Sequence, residues 1–341
     1  MLWFESRRKA LFLFPLSLLY QLVVAFRNFF YDKGMFAIYR PPCKVISVGN
    51  ITVGGTGKTP TVQFLANELL RRGKKVVILS RGYARKSRGT VIVSDGNHIL
   101  TDAETAGDEP LLLARNCPGV PLIVDEDRVR AAQSAVRRFA ADVILLDDGF
   151  QHRRLARDFD LITMRSINPL GNGWCLPAGP LREPVRSIRR ADFVLFTGGS
   201  SLEKVPRQML SAKPWACASY CFREAVDMQG KVLTLGDLKN CRVVAVCGLA
   251  NPKYFFRMLE EIGIVIAVKI IFPDHYYYQD QDIEKINKTH RIVNADYVVT
   301  TEKDWVKLES RHVESNWLMM RMTLQGKNLS ILLSRIENLL G

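Results

Sequence analysis

Several things are missing from this chain, and each absence narrows what it can be. Its seven cysteines (Cys43, Cys117, Cys175, Cys217, Cys221, Cys241 and Cys247) form no C-x-x-C pair. Cys217 and Cys221 stand closest, and no second Cys/His pair at finger-like spacing follows them. This argues against a structural zinc site and for buried or incidental thiols in a reducing compartment. Only five histidines occur in 341 residues, so any imidazole chemistry rests on few candidates. No internal repeat is evident and low-complexity stretches are few, which sets aside solenoid and disordered classes. Acidic residues are in deficit, 34 against 48 lysines and arginines, giving a net charge of +14. That balance points to an anionic partner: nucleic acid, anionic lipid headgroups or a phosphorylated substrate.

What is present begins with a hydrophobic fraction of 48%. This is ample for a large core, as two domains or as one large α/β domain with an appendage. The most apolar segment, 11-LFLFPLSLLYQLVVAF-26, follows Arg7, Arg8 and Lys9. A signal peptide would have this basic start, but no A-x-A-like cleavage site follows. A spanning helix needs about 20 apolar residues. As a helix this segment would reach only about 24 Å of a roughly 30 Å hydrocarbon core. Ser17, Gln21 and Asn28 fall on one narrow stripe at helical spacing. A wide apolar face with a thin polar stripe and basic flanks fits a helix lying in a membrane interface. A core helix packed on the rest of the protein is the alternative.

After this helix, 45-VISV-48 reads as a short buried strand, 59-TPTVQFLANELLRRG-73 as a helix with a glycine stop, and 76-VVILS-80 as a second strand. Together they make a βαβ unit, which predicts parallel strands and a right-handed crossover. Asp95-Gly96 between two β-rich runs predicts a two-stranded excursion over about 81–100. A helix over 107–117, a strand at 120–124, a helix at 127–140 and strands at 143–147, 159–164 and 193–197 complete the first half. The intervening 168-NPLGNGWCLPAGPLREP-184 is a long, functional-looking loop. The pattern weakens over 201–240, and a second α/β half starts at 242-RVVAVCGLANP-252. The expected fold class is α/β, a P-loop-type parallel sheet flanked by helices, with a smaller C-terminal α/β lobe and an N-terminal apolar helix. The expected divisions are 1–40 (membrane-associated helix), 41–200 (core), 201–240 (linker) and 241–341 (C-terminal lobe).

The chemistry centres on 49-GNITVGGTGKTP-60. Between a strand and a helix, a G-x-x-x-x-G-K-[ST] loop cradles phosphates with backbone N–H groups at a helix start. Here Thr52 stands at the opening-glycine position, while Gly54, Gly55, Gly57, Lys58 and Thr59 are all present, with Val53 and Thr56 between them. Residues 52–59 are thus read as nucleotide-binding, with Lys58 at the β/γ-phosphates and the Thr59 hydroxyl at Mg²⁺. An ordinary glycine-rich turn is the bland alternative. The strand 143-VILLDD-148 ends in Asp147 and Asp148, the arrangement that sets a carboxylate beside Mg²⁺ at the carboxyl end of a strand.

Transfer to an alcohol benefits from a general base, and Asp108 in 107-GDEP-110 and His275 in 272-FPDHYYY-278 are candidates. Helix capping and a satisfied structural histidine are their respective alternatives. The basic clusters Arg81, Arg85, Lys86, Arg88 and Arg182, Arg186, Arg189, Arg190 could ring an anionic acceptor or form a solvated surface. Apart from Tyr83, neither cluster is interleaved with aromatics, which lowers nucleic acid relative to lipid or phosphate.

Taken in order, 47-SVGNITVGGTGKTP-60, 80-SRGYARKSRG-89, 107-GDEP-110, 146-LDDGFQH-152, 176-LPAGPLREP-184, 247-CGLANPKYF-255, 272-FPDHY-276 and 300-TTEKDWVKL-308 resemble the tetraacyldisaccharide 4'-kinase family of Gram-negative bacteria. The match spans nearly the whole chain beyond the apolar helix. It implies transfer of the ATP γ-phosphate, with Mg²⁺, to the 4'-hydroxyl of a tetraacylated glucosamine disaccharide 1-phosphate in lipid A biosynthesis. The family's loop also lacks the opening glycine. The resemblance makes Asp108 the catalytic base with His275 as its dyad partner. It gives Lys58 a charge-neutralising role, and makes Asp147 and Asp148 a Mg²⁺-linked pair with roles undivided. It further implies a peripheral or monotopic protein of the bacterial inner membrane facing the cytoplasm. Its partners would be a lipid A precursor and the anionic membrane surface, with no nucleic acid and no obligate protein partner. The rival readings are a membrane-surface NTPase driving transport or assembly, and a non-catalytic nucleotide sensor.

Overall fold

The computed structural model describes residues 7–199, 205, 213–249, 252–274, 276–308, 313–326 and 328–341. The chain forms two compact units. The first comprises residues 1–106, 113–219 and 324–341, and the second 107–112 and 220–323.

The first unit opens with helices α1 (Arg7–Phe12) and α2 (Phe14–Asp32). Pro15 is tolerated in α2 because the first turn needs no intrahelical N–H bond. The chain then alternates: β1 (Lys44–Gly49), α3 (Lys58–Arg71), β2 (Val76–Ser80), β3 (Val91–Ser94), α4 (Ala103–Ala106), α5 (Asp108–Asn116), β4 (Leu122–Val124), α6 (Arg128–Phe139), β5 (Val143–Asp147), β6 (Phe159–Arg165), β7 (Phe193–Thr197) and β8 (Trp215–Asp227). Helix α5 begins in the second unit and ends in the first, and β8 leaves the first unit after Ser219.

The strand order is β7-β6-β1-β5-β2-β4-β3, parallel except for β3, which runs antiparallel to β4 at the edge. The start of β8 continues this sheet, parallel to β7. Strands β1, β2, β5 and β7 are almost wholly buried, as expected of strands covered on both faces, whose sequences read as continuous apolar runs. The order places β1, with the loop that follows it, between β5 and β6. Where a two-stranded excursion is expected, Val91–Ser94 instead joins the main sheet. The return is a tight turn in which the Asp95 carboxylate accepts from the N–H groups of Asn97 and His98, followed by an isolated Ser94–Ile99 bridge.

Helix α2 turns its polar stripe inward. Ser17 Oγ donates to the Cys175 carbonyl at 2.8 Å, Tyr20 OH to the Arg182 carbonyl at 2.8 Å, and Asn28 Nδ2 to Glu183 Oε2 at 2.9 Å. Glu183 is 0% exposed and also takes two hydrogen bonds from Arg190. Burial works against its charge, but Arg190, Asn28 and Arg27 outweigh it and hold its carboxyl below the ordinary range. Leu16, Leu18, Leu19, Leu22, Val23, Phe26 and Phe29 are exposed on the remaining surface of the helix. No described helix is long and apolar enough to cross a membrane.

The second unit contains the remainder of β8, β9 (Val232–Leu233), β10 (Arg242–Cys247), α7 (Pro252–Glu261), β11 (Val265–Ile271), α8 (Asp280–Ile292), β12 (Tyr297–Thr301), α9 (Glu302–Leu308) and most of β13 (Trp317–Gln325). Its strands run β11-β10-β12-β13 with parallel pairings. Along β10, Val243, Ala245 and Cys247 enter one core cluster with α7, while Val244 and Val246 enter another with α8 and α9. Alternation between two cores shows that helices cover both faces of this smaller sheet. The C-terminal helix α10 (Leu329–Leu340) returns to the first unit. Within 201–240, the described residues hold β8, whose burial alternates along a half-exposed stretch of Ala, Ser, Cys, Arg and Glu. Such a strand makes no apolar run in the sequence.

Candidate active site

Strand β1 delivers the chain to the carboxyl edge of the sheet, where ligands of open α/β folds bind. Gly49 is required there by close approach, since a Cβ would lie 2.7 Å from the Phe150 backbone nitrogen. The loop ends at Gly57, whose φ of 82° is left-handed and favours glycine; it caps α3 with no side-chain bond to the first-turn N–H groups. A glycine-rich loop running into such a helix start is an anion cradle.

The loop is held from several sides. Asn50 Nδ2 donates to Thr56 Oγ1 at 2.8 Å, and that hydroxyl lies 2.9 Å from Thr163 Oγ1 of β6. Thr197 Oγ1 of β7 donates to the Thr56 carbonyl at 2.9 Å, and Arg165 Nε to the Gly55 carbonyl at 3.1 Å. Thr52 needs no glycine at its position. It forms an antiparallel bridge with Leu181, flanked by Val53 N–H to Pro180 O at 2.8 Å and Arg182 N–H to Ile51 O at 2.7 Å. Thr52 has no left-handed φ, and a β-branched residue suits such an extended, paired backbone.

Lys58, the first residue of α3, places its ammonium 3.5 Å from Asp148 Oδ1. Arg182 Nη1 donates to Asp148 Oδ2 at 2.9 Å and to Oδ1 at 3.2 Å. Burial works against the Asp148 charge, yet Lys58 and Arg182 outweigh it and keep the carboxyl below the ordinary range. Asp148 takes a φ of 51°, a left-handed conformation that Asp tolerates better than most residues. Asp147 is buried at the end of β5, and its Oδ2 accepts from Ser80 Oγ at 2.9 Å. The structure thus separates the two acids: Asp148 faces cations, and Asp147 is seated between β5 and the end of β2.

Thr59 follows Lys58 at the start of α3, and Asp108 is the first residue of α5 in the second unit. Asp108 is 6% exposed, with Oδ2 3.2 Å from Lys307 Nζ. His275 lies outside the described residues. Of the two basic clusters, Arg85 pairs with Glu126, Lys86 with Glu104, Arg182 with Asp148 and Arg190 with Glu183. Arg81, Arg88, Arg186 and Arg189 are exposed.

Three residues of this region were not singled out by sequence. Arg128, the first residue of α6, is 2% exposed and donates from Nη1 to the Asp125 carbonyl. Burial lowers its guanidinium to about 10, with Arg81 adding to the effect and Asp147 and Asp148 opposing it. His152, the last residue of the DDGFQH run, is pushed down to about 4, by burial first and then by Arg128 and Arg81. It is therefore a neutral imidazole at neutral pH. Ser80, the anchor of Asp147, is the third. An arginine opening a helix just after a strand was the available signal for Arg128, but helix and strand patterns alone cannot rank it above its neighbours.

Mg²⁺ is bound by hard oxygen donors, commonly one or two carboxylates completed by substrate phosphates. The described residues contain no cluster of three or more metal-ligating side chains. The Thr59 hydroxyl and the Asp147 carboxylate supply oxygen donors of the right kind at the loop and the neighbouring strand end, so the residues present fit the ion.

The parallel sheet, the phosphate loop on β1–α3 and the acidic end of β5 define a P-loop protein of the phosphoryl-transferring class. Comparison with known proteins places it more narrowly: residues 9–339 match the LpxK family, tetraacyldisaccharide-1-P 4'-kinase, and the chain belongs to that family. It is 43% identical over 315 residues to the tetraacyldisaccharide 4'-kinase of Syntrophus aciditrophicus, covering 88% of this chain and 84% of the relative. It is 39% identical over 332 residues to that of Pelobacter propionicus, covering 96% and 92%. A crystal structure of LpxK from Aquifex aeolicus in complex with ATP superposes with a TM-score of 0.80 at 35% identity, covering 97% of this chain and 99% of that one.

Proposed function

We propose that this protein transfers the γ-phosphate of ATP to the 4'-hydroxyl of a tetraacylated disaccharide 1-phosphate, a step of lipid A biosynthesis. The observation that carries the reading is the phosphate cradle of residues 52–59, with Lys58 poised against Asp148, in a chain that matches the kinase family from end to end. The loop N–H groups and Lys58 bind and orient the triphosphate, and Lys58 stabilises charge on the transferring group. Thr59 and Asp147 would hold Mg²⁺, which when bound neutralises phosphate charge. Asp148, tied to Lys58 and Arg182, keeps the lysine extended toward the loop. Asp108 takes the proton of the acceptor hydroxyl as the new oxygen–phosphorus bond forms and ADP departs; His275 is its proposed partner.

We further propose that the protein rests on the cytoplasmic surface of the bacterial inner membrane through α2. The support is an exposed apolar surface on a helix whose polar stripe is consumed by bonds to the Cys175–Glu183 loop. A helix so arranged costs free energy in water and gains it at an acyl boundary. The acyl chains of the substrate can then stay in the bilayer while its sugar meets the kinase.

The test is Asp108→Ala, assayed with labelled ATP and the disaccharide 1-phosphate in detergent micelles. Phosphoryl transfer should collapse while ATP affinity stays nearly unchanged. Equal activity in that variant would remove Asp108 from the mechanism, and a sensor rather than a kinase would show no transfer in the wild type either.

A further inference from the structure

The segment 300-TTEKDWVKL-308 has no part in the phosphate cradle, yet it is among the most elaborately anchored in the second unit. Asp304 of α9, itself 0% exposed, accepts from Thr301 Oγ1 at 2.7 Å and from the Gly248 N–H at 3.0 Å. Trp305 packs into the core beside Tyr278 and Trp317. The helix is therefore fixed to both β12 and the end of β10. From this fixed base two lysines one turn apart reach two acids. Lys303 Nζ donates to Asp274 Oδ1 at 2.7 Å, next in sequence to His275, and Lys307 Nζ lies 3.2 Å from Asp108 Oδ2. Lys307 is 7% exposed, as buried as Asp108, with the Tyr277 ring 5.8 Å away.

Stability alone does not account for a pair so buried, because desolvating two charges offsets most of their attraction, and apolar residues of similar volume do as well or better. Orientation does account for it. The terminal torsion of an aspartate is broad and nearly two-fold, so nothing intrinsic fixes which oxygen faces which way. An ammonium at one oxygen, carried by a rigid helix, selects one arrangement.

We propose that Lys307 is a positioning residue for phosphoryl transfer, turning the Asp108 carboxylate to receive the acceptor proton from a base set by α9. The proposal rests on the reading of Asp108 as proton acceptor. In the step it serves, the acceptor O–H bond breaks and its proton goes to Asp108. The acceptor oxygen bonds the γ-phosphorus, the bond from that phosphorus to the β-phosphate oxygen breaks, and ADP carries that electron pair away. Lys307 exchanges no proton.

The test compares Lys307→Met, Lys307→Arg, Asp108→Asn and the Asp108→Asn/Lys307→Met double variant in the micelle assay with tetraacyldisaccharide 1-phosphate, with melting curves alongside. Lys307→Met should lower kcat by about tenfold or more, within the range general-base catalysis contributes. Its KM for ATP should stay within about twofold, as expected of a residue that acts through Asp108 rather than on the nucleotide. Lys307→Arg should recover most of the turnover. The double variant should be no slower than Asp108→Asn alone, as expected of residues that act through one group. Should Lys307→Met fail to fold, Lys307→Gln takes its place with the same expected loss of kcat. Wild-type kcat in the folded Met or Gln variant overturns the role of Lys307 while leaving Asp108 as base. So does a loss of equal size in the Asp108→Asn background, or one that only tracks the folded fraction. Wild-type turnover in Asp108→Asn overturns the reading of Asp108 itself.

Discussion

The Lys58 ammonium lies 3.5 Å from one oxygen of Asp148 while Arg182 holds the other at 2.9 Å, so a single carboxylate ties the phosphate loop to the Pro/Gly-rich loop. Removing the ammonium removes charge stabilisation where the phosphoryl group transfers. Lys58→Met should lower kcat by roughly a hundredfold or more, the scale of losing one preorganised electrostatic contact. Steady-state kinetics at saturating ATP measure this, and a loss under about threefold would take Lys58 out of the transfer step.

Thr52 offers a sharper check on the loop. Because it is paired with Leu181 in extended backbone, restoring the usual glycine should bring no gain. Thr52→Gly should leave KM for ATP within about threefold and lower Tm slightly, since glycine in paired strand costs about 0.5–1 kcal/mol. Tighter nucleotide binding in that variant would mean the threonine is a compromise rather than a fit.

How far the sequence could be read follows from the kind of signal each part leaves. Continuous apolar runs and a glycine-rich loop announced β1, α3, β2 and β5, because strands buried on both faces and phosphate cradles have few other compositions. Strand β8 left no run, since small and polar residues interrupt it and much of it is only partly buried. The polar stripe of α2 was visible at Ser17 and Asn28, but its direction was not. A stripe that bonds the Cys175 carbonyl and Glu183 points inward only once those partners are placed. Arg128 and His152 were invisible as a pair for the same reason: their coupling runs across elements distant in sequence.

The outward apolar surface of α2 predicts membrane attachment that can be removed without touching the fold. The triple variant Leu19→Glu, Leu22→Glu, Phe26→Glu replaces exposed side chains only. Each buried apolar side chain contributes about 1.5–3 kcal/mol, so binding to anionic vesicles in flotation should fall at least tenfold while Tm holds. Unchanged flotation would reject α2 as the anchor.

His152 gives the fold a signature in mild acid. Its folded value, pushed down to about 4, lies below its ordinary value near 6.5. Between these limits the unfolded chain binds the extra proton, so stability rises with pH and is lost as pH falls from about 6.5 toward 4. The loss is on the order of 1–3 kcal/mol, and below that window His152 contributes nothing more. Asp148 and Glu183, held low, lose their contributions only in stronger acid. Urea denaturation from pH 7 to pH 5 should show the slope, and His152→Gln should flatten it; an equal slope in the variant would assign it elsewhere.

The central claim, that the phosphate goes to a lipid-borne hydroxyl rather than to water, is tested most directly by following ADP release from the wild-type protein in micelles with and without tetraacyldisaccharide 1-phosphate. The account predicts little turnover without the disaccharide. With it, ADP should form in step with a product carrying one new phosphate at the 4'-position. ADP release at the same rate without the disaccharide, with inorganic phosphate as the product, would contradict it.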